Sequence, residues 1–147
     1  MRTKEAAKIW GVTRETVTEY CVQGIVPGAT KDEKGHWQIP DGTPKPMSKG
    51  KLGKILYAMQ EGGQIQVSKL IPEDPAQAQV ILCYFEKLSL VHTENGNTYL
   101  SNSGNILVNN ESNKKRKFHW ETVLGLVTEL VRLGQIVLPL IYAANAN

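Results

Sequence analysis

Arg14 is the side chain whose chemistry stands out, because it sits in a run, TRETVTEY, that interleaves hydroxyls with one guanidinium. A guanidinium can donate two parallel bonds to guanine O6 and N7 in the major groove of a DNA duplex, which discriminates between bases by about 1–3 kcal/mol. Thr13, Thr16 and Thr18 can bond phosphate oxygens or touch a thymine methyl, and they serve equally well as helix caps or surface residues. Catalysis has no comparable support. The chain has no phosphate-cradling glycine motif and no paired carboxylates bracketed by strand ends, and His36, His92 and His119 fall in three separate segments. The reading is therefore of a binding protein without enzymatic activity, cofactor or metal.

The elements that must carry Arg14 can be read from spacing. Between Thr3 and Gly28 the sequence has the pattern of a helix-turn-helix. Ala7 stands at the crossing point, Gly11 follows four residues later where a tight turn needs positive φ, and Val17 points back beside Ala7. Val12 plugs the turn, and Ile9 and Trp10 close the apolar side of the first helix. Thr3 and Thr13 are the expected N-caps. Gly24 to Gly28 stop the second helix, and Thr30 to Pro40 read as a short hairpin turning near Lys34-Gly35.

The run KEAAKIWGVTRETVTEYCVQGIVPGA followed by GHWQIP resembles the excisionase-like and MerR-like winged helix-turn-helix DNA-binding domains. The resemblance covers about the first third of the chain. It implies a second helix in the major groove and a wing against the flanking backbone. Arg14 and Thr16 then match groove-facing positions, Tyr20 matches an aromatic that reaches a phosphate, and the wing contacts fall on Lys34, His36 and Trp37. His36 also reads as a plain surface residue, and Trp37 as the plug beneath the hairpin. Glu15 and Glu19 depart from the pattern, because carboxylates near phosphates repel them. Affinity per domain should be modest, and two copies would be needed to hold a site.

The stretch Asp41 to Gly50 reads as a linker. Beyond it, Leu52, Ile55, Leu56 and Met59 recur at helical spacing up to a stop at Gly62-Gly63, and Ile65 and Val67 alternate like a strand. Asp74 and Pro75 open a helix running to about Leu88, with Val80, Ile81, Tyr84, Phe85 and Leu88 on its apolar side. Leu90-Val91 and Tyr99-Leu100 flank Asn95-Gly96, the signature of a primed hairpin turn. FEKLSLVHTENGNTYLSNSG resembles the last helix and wing of bacterial winged-helix regulators. Glu73, Asp74, Gln77 and Gln79 suit this module poorly to reading DNA, and a packing or dimer-supporting role fits it better.

Asn109 to Lys117, NNESNKKRK, reads as a second linker ending in a basic cluster. After it, Val123, Val127, Leu130, Gly134, Val137 and Ile141 recur at steps of four and three, with Trp120, Leu124, Val131 and Leu138 beside them. Trp120, Val123, Leu124, Val127, Leu130, Val131 and Val137 are the expected dimer seam, and Gly134 and Pro139 are expected to bend or end the helix. A membrane span is the competing reading. Glu129, Arg132 and Gln135 oppose it, since a central charge costs about 2.5–3.5 kcal/mol on insertion, and Glu129 and Arg132 suit an i,i+3 pair on a solvated face.

Composition fits a small binding protein of several modules. The chain has 147 residues, 41% hydrophobic and 21% charged, with a net charge of +3, too little for a non-specific nucleic-acid coat. Residues 1–47 carry seven Lys/Arg against six Asp/Glu, so DNA binding there must depend on where the charges sit. Cys21 and Cys83 have no ligand-spaced partner and read as buried free thiols in a reducing compartment. The start of the chain reads as a helix rather than a secretion signal, which places the protein in the cytoplasm.

The expected fold is mainly α with small β-hairpin wings, an α+β chain of two winged helix-turn-helix modules and a C-terminal helix. Its expected division is a DNA-binding domain at 1–47, a second winged-helix-like domain at 48–108, a basic linker at 109–117 and an apolar helix at 118–147. The expected function is sequence-specific binding of double-stranded DNA by a homodimer that regulates transcription. The alternatives are an accessory factor for recombination, plasmid replication or partition, or phage packaging, and an adaptor for protein or membrane.

Overall fold

A computed structural model describes residues 1–67, 74–113 and 120–145. The chain is mainly helical with small antiparallel strand pairs, an α+β architecture. It divides into two compact units, one of residues 1–46 with 135–147 and one of residues 47–134.

The first unit opens with α1 (Thr3–Trp10) and α2 (Arg14–Val22). Gly11 ends α1 in the left-handed conformation, φ 68°, and its N–H bonds the Ala7 carbonyl. Val12 donates to the same carbonyl and packs at the edge of the core. Thr13 caps α2 by accepting from the Thr16 amide, and Val17, fully buried, packs with Ala6, Ala7, Trp10 and Cys21. Two expectations fail here. Thr3 is not the cap, because it is the first residue of α1 and turns inward, while Arg2 holds the cap position and makes no side-chain cap bond. Ile9 does not close the apolar side but lies 68% exposed, since Ala6, Ala7 and Trp10 already occupy the inward stripe.

β1 (Thr30–Lys31) and β2 (Trp37–Gln38) form an antiparallel pair, and Gly35 takes φ 82° at the tip. The expected linker from Asp41 is in part core. Thr43 is buried, its hydroxyl donates to the Pro40 carbonyl at 2.6 Å, and its own carbonyl accepts from Trp10 Nε1 at 2.8 Å. Met47, at the start of the second unit, is also buried.

The second unit contains α3 (Lys49–Met59), β3 (Gln60–Glu61), β4 (Gln64–Ile65), α4 (Pro75–Lys87), β5 (Val91–Glu94), β6 (Asn97–Leu100) and α5 (Asn102–Ser112). The strands make one antiparallel sheet in the order β3-β4-β6-β5. Asp74 caps α4 by accepting from the Gln77 amide, with Pro75 in the first turn. Asn95 and Gly96 both take positive φ, 52° and 80°, as a primed turn requires. Tyr84, Phe85, Leu52, Ile55, Leu56, Met59 and Ile81 fill the core.

Two features depart from the sequence reading. Gly62-Gly63 is the turn of a β3-β4 hairpin rather than a bare helix stop. Residues 109–112, expected as linker, belong to α5, which Ser101 caps and which buries Leu107 and Val108. α5 packs so closely on α3 that a Cβ on Gly53 would lie 3.1 Å from the Leu107 carbonyl oxygen. The basic cluster at 114–117, Glu73 and His119 lie outside the described residues.

α6 (Trp120–Asn145) runs through Gly134 and Pro139 without ending at either. Its residues up to Gly134 belong to the second unit and those from Gln135 to the first. Gly134 is required by a close helix crossing, since a Cβ there would meet Val80 Cγ1 at 2.6 Å. Glu129 pairs with Lys51 Nζ at 3.7 Å rather than with Arg132. Val123, Val127, Leu130, Val131 and Val137 are all buried within the single chain, while Leu124 is 46% exposed. The side chain of Trp120 lies outside the described residues. Five of the seven residues expected to form the seam are therefore covered within the chain.

Candidate functional site

The first unit carries a cleft of about 520 Å³ built from three pieces of chain. Arg14, Thr18 and Val22 line it from α2, spaced four residues apart so that they share one helix face. Arg2, Thr3 and Lys4 line it from the start of α1, and Lys31, Gly35, His36 and Trp37 from the hairpin. The lining holds four Lys/Arg side chains and no carboxylate. Glu15 and Glu19 each follow a lining residue by one, which turns them roughly 100° away round the helix. Glu19 accepts from Gln23 Nε2 at 3.1 Å.

Asp32 sets the hairpin against α1. Its Oδ1 accepts from the amides of Lys34 and His36, both at 2.9 Å, closing the turn in the manner of an Asx turn. Its Oδ2 accepts from Arg2 Nη1 at 3.1 Å and Gln38 Nε2 at 3.3 Å, with His36 Nδ1 at 3.7 Å. The His36 amide bond, then the Lys34 amide and the charges of His36 and Arg2, hold this carboxyl below its usual range against the opposing effect of desolvation. Across the strands Lys31 pairs with Trp37, its ammonium 5.1 Å from the ring centroid. Arg14 Nε donates to Thr3 Oγ1 at 3.3 Å.

Of the residues the sequence pointed to, Arg14, Thr18, His36 and Trp37 come together here. Thr18 does so with its hydroxyl donated to the Arg14 carbonyl at 3.1 Å. Thr13 and Thr16 are outside the lining and bond each other, Oγ1 to Oγ1, at 2.9 Å. Tyr20 is half-buried against the core, its ring 6.4 Å from that of Trp10. Lys34 is exposed at the tip, outside the lining, and meets Asp32 through its amide alone. Trp37 is half-buried against the core and also lines the cleft.

Sequence reasoning missed Arg2, Lys4 and Lys31. Lys31 was within reach of it, because a turn at Lys34-Gly35 makes Lys31 the cross-strand partner of Trp37. Arg2 and Lys4 depend on a tertiary approach that no local pattern encodes.

Among the described residues no group of three or more His, Cys, Asp or Glu side chains could hold a metal. Cys21 is buried, and desolvation pushes its thiol up to about 11. Cys83, expected to be buried, is only half so and accepts from Gln79 Nε2 at 3.2 Å. From Glu121 to Ala143, α6 is long and apolar enough to cross a membrane, with mean hydropathy 1.7, yet 44% of it is buried in the protein. No family model, curated protein or solved structure matches this chain.

Proposed function

We propose that the chain binds double-stranded DNA through its first unit, as a winged helix-turn-helix module, and acts in the regulation of transcription. The observation that carries this reading is the cationic cleft between α2 and the hairpin, free of carboxylates in its lining. A duplex presenting its major groove to α2 would run one sugar-phosphate strand between that helix and the hairpin, where the cations stand. Phosphate neutralisation supplies most of the affinity of such modules, and it releases counterions. Burial of five of the seven expected seam residues within the chain favours reading it as a monomer that docks on a single half-site.

Fluorescence anisotropy with a pool of random 20-base-pair duplexes tests this. Binding at 50 mM salt should weaken with a log–log salt slope of about −3 to −4, if each lining cation meets one phosphate at about −0.9 per contact. Selection from the pool should return one short motif without two-fold repetition. Failure to bind any duplex at 50 mM salt overturns the proposal, and loss of the chain to detergent micelles in the same assay would make α6 a membrane element.

A further inference from the structure

Arg14 is the side chain that base-reading chemistry favours, but its surroundings point to another partner. Its Nε is tied to Thr3 Oγ1 at 3.3 Å, which draws the guanidinium toward the start of α1, where Arg2, the residue before Thr3, lines the same cleft. Arg2 is itself fixed, through Nη1, to Asp32 Oδ2 at 3.1 Å. Thr3 is buried, and Asp32 is anchored by two amides of its own turn, so both tethers are attached to fixed points. A guanidinium held by one nitrogen keeps donors for the paired oxygens of a phosphate, and pre-setting its plane reduces the entropy lost on binding. α1 also begins beside the two guanidinium groups without a side-chain cap, so its first-turn amides have no side-chain acceptor.

We infer that Arg2 and Arg14 form a clamp for one backbone phosphate of the duplex, with Thr3 and Asp32 as its positioning residues. The inference rests on the duplex-binding reading, and it moves Arg14 from base recognition to the backbone. Specificity must then come from other α2 side chains.

The test compares the full-length chain with Arg2→Ala, Arg14→Ala and the double variant on the selected duplex and on copies changed at each base pair. A clamp makes each single variant about tenfold weaker on every sequence by the same factor. The double variant should lose less than the product of the two and flatten the salt slope by about 0.9, the value for one phosphate. A merely structural role for Thr3 would not alter the effect of a second residue, whereas in a Thr3→Val background Arg14→Ala should lose most of its effect. Should Thr3→Val fail to fold, Asp32→Asn, which keeps the turn acceptor, puts the same question to Arg2. A loss for Arg14→Ala confined to one base step, with the slope unchanged, overturns the clamp and restores a base reader. Unchanged affinity in all variants also overturns it while leaving duplex binding standing. Absence of duplex binding by the unsubstituted chain removes the underlying reading itself.

Discussion

The hairpins of the two units are alike in sequence logic and unlike in what surrounds them. Each turns through residues with positive φ, Gly35 in the first unit and Asn95-Gly96 in the second, and each follows a helix with an oxygen-bearing cap. The first hairpin is held at its tip by a carboxylate and stands open, so that its strands border a cleft of basic side chains. The second is extended by β4 and β3, and α5 returns immediately against its base. The first hairpin thus leaves an open face beside its helix, and the second has α5 packed at its base.

The sharpest way to break this comparison is to place a methyl at the base of the second hairpin. A Cβ on Gly104 would lie 2.2 Å from the Leu90 carbonyl oxygen and 3.1 Å from Leu100 Cδ2, and backbone cannot yield as a flexible side chain would. Gly104→Ala should therefore destabilise by about 3 kcal/mol, the upper part of the range for overpacking. Gly35→Ala at the first tip meets nothing within 4 Å and pays only the left-handed strain of its φ of 82°, about 1 kcal/mol. Denaturant midpoints measure both. Equal losses would mean that the second hairpin is as open as the first.

The cysteines separate the units a second way. The upward shift of Cys21 from 9.0 to about 11 implies about a hundredfold less thiolate at neutral pH, and thiolate is what an alkylating reagent attacks. Cys83 should react with iodoacetamide at pH 8 first, and Cys21 only as the protein unfolds. Because the folded state raises the pKa of Cys21, its neutral form contributes stability that is fully present below pH 9 and lost as pH rises through about 11. Rapid labelling of both thiols in native protein would contradict the burial of Cys21.

What the sequence disclosed and what it hid divide along the same line. The turns at Gly11 and at Asn95-Gly96, and the caps at Thr13 and Asp74, were readable because each depends on residues a few positions apart. α5 was not, because Leu107 and Val108 sit in an Asn- and Ser-rich stretch of weak helical propensity, and contact with α3 at Gly53 supplies what propensity does not. The α6 stripe was legible as apolar, but α4, which covers it near Gly134, is more than forty residues earlier in the chain. At the cleft, Arg14, His36 and Trp37 could be named from type and spacing. Arg2 could not, because its meeting with Asp32 joins residues thirty positions apart.

Within the first unit, the lining itself can be sharpened. Lys31 borders the cleft and Lys34 does not, although the tip lysine is the more conspicuous in sequence. Lys31→Ala should flatten the salt slope of duplex binding by about 0.9 and weaken affinity about threefold to fivefold on all sequences. Lys34→Ala should leave the slope nearly unchanged. The reverse ranking would place the DNA backbone over the tip instead of in the cleft.

The smallest effect is expected on the exposed face of α4, and its smallness is what makes it informative. Asp74 already places a carboxylate at the cap of this helix, where its Oδ1 accepts from the Gln77 amide at 3.1 Å. Gln77 is exposed beside it, and Gln79 is engaged with Cys83. If a phosphate approached here, Gln77→Glu would add a second like charge at contact distance and cut affinity steeply, because removing or repelling one phosphate contact is felt through both attraction and counterion release. If no phosphate approaches α4, the added charge meets only solvent and counterions and is screened within a Debye length of about 8 Å. It also favours the helix N-terminus by about 0.3–1 kcal/mol, since a carboxylate suits the positive end of the helix dipole. Gln77→Glu should then leave duplex affinity within about twofold and raise the unfolding midpoint slightly, and a tenfold loss of binding would show that both units hold the duplex.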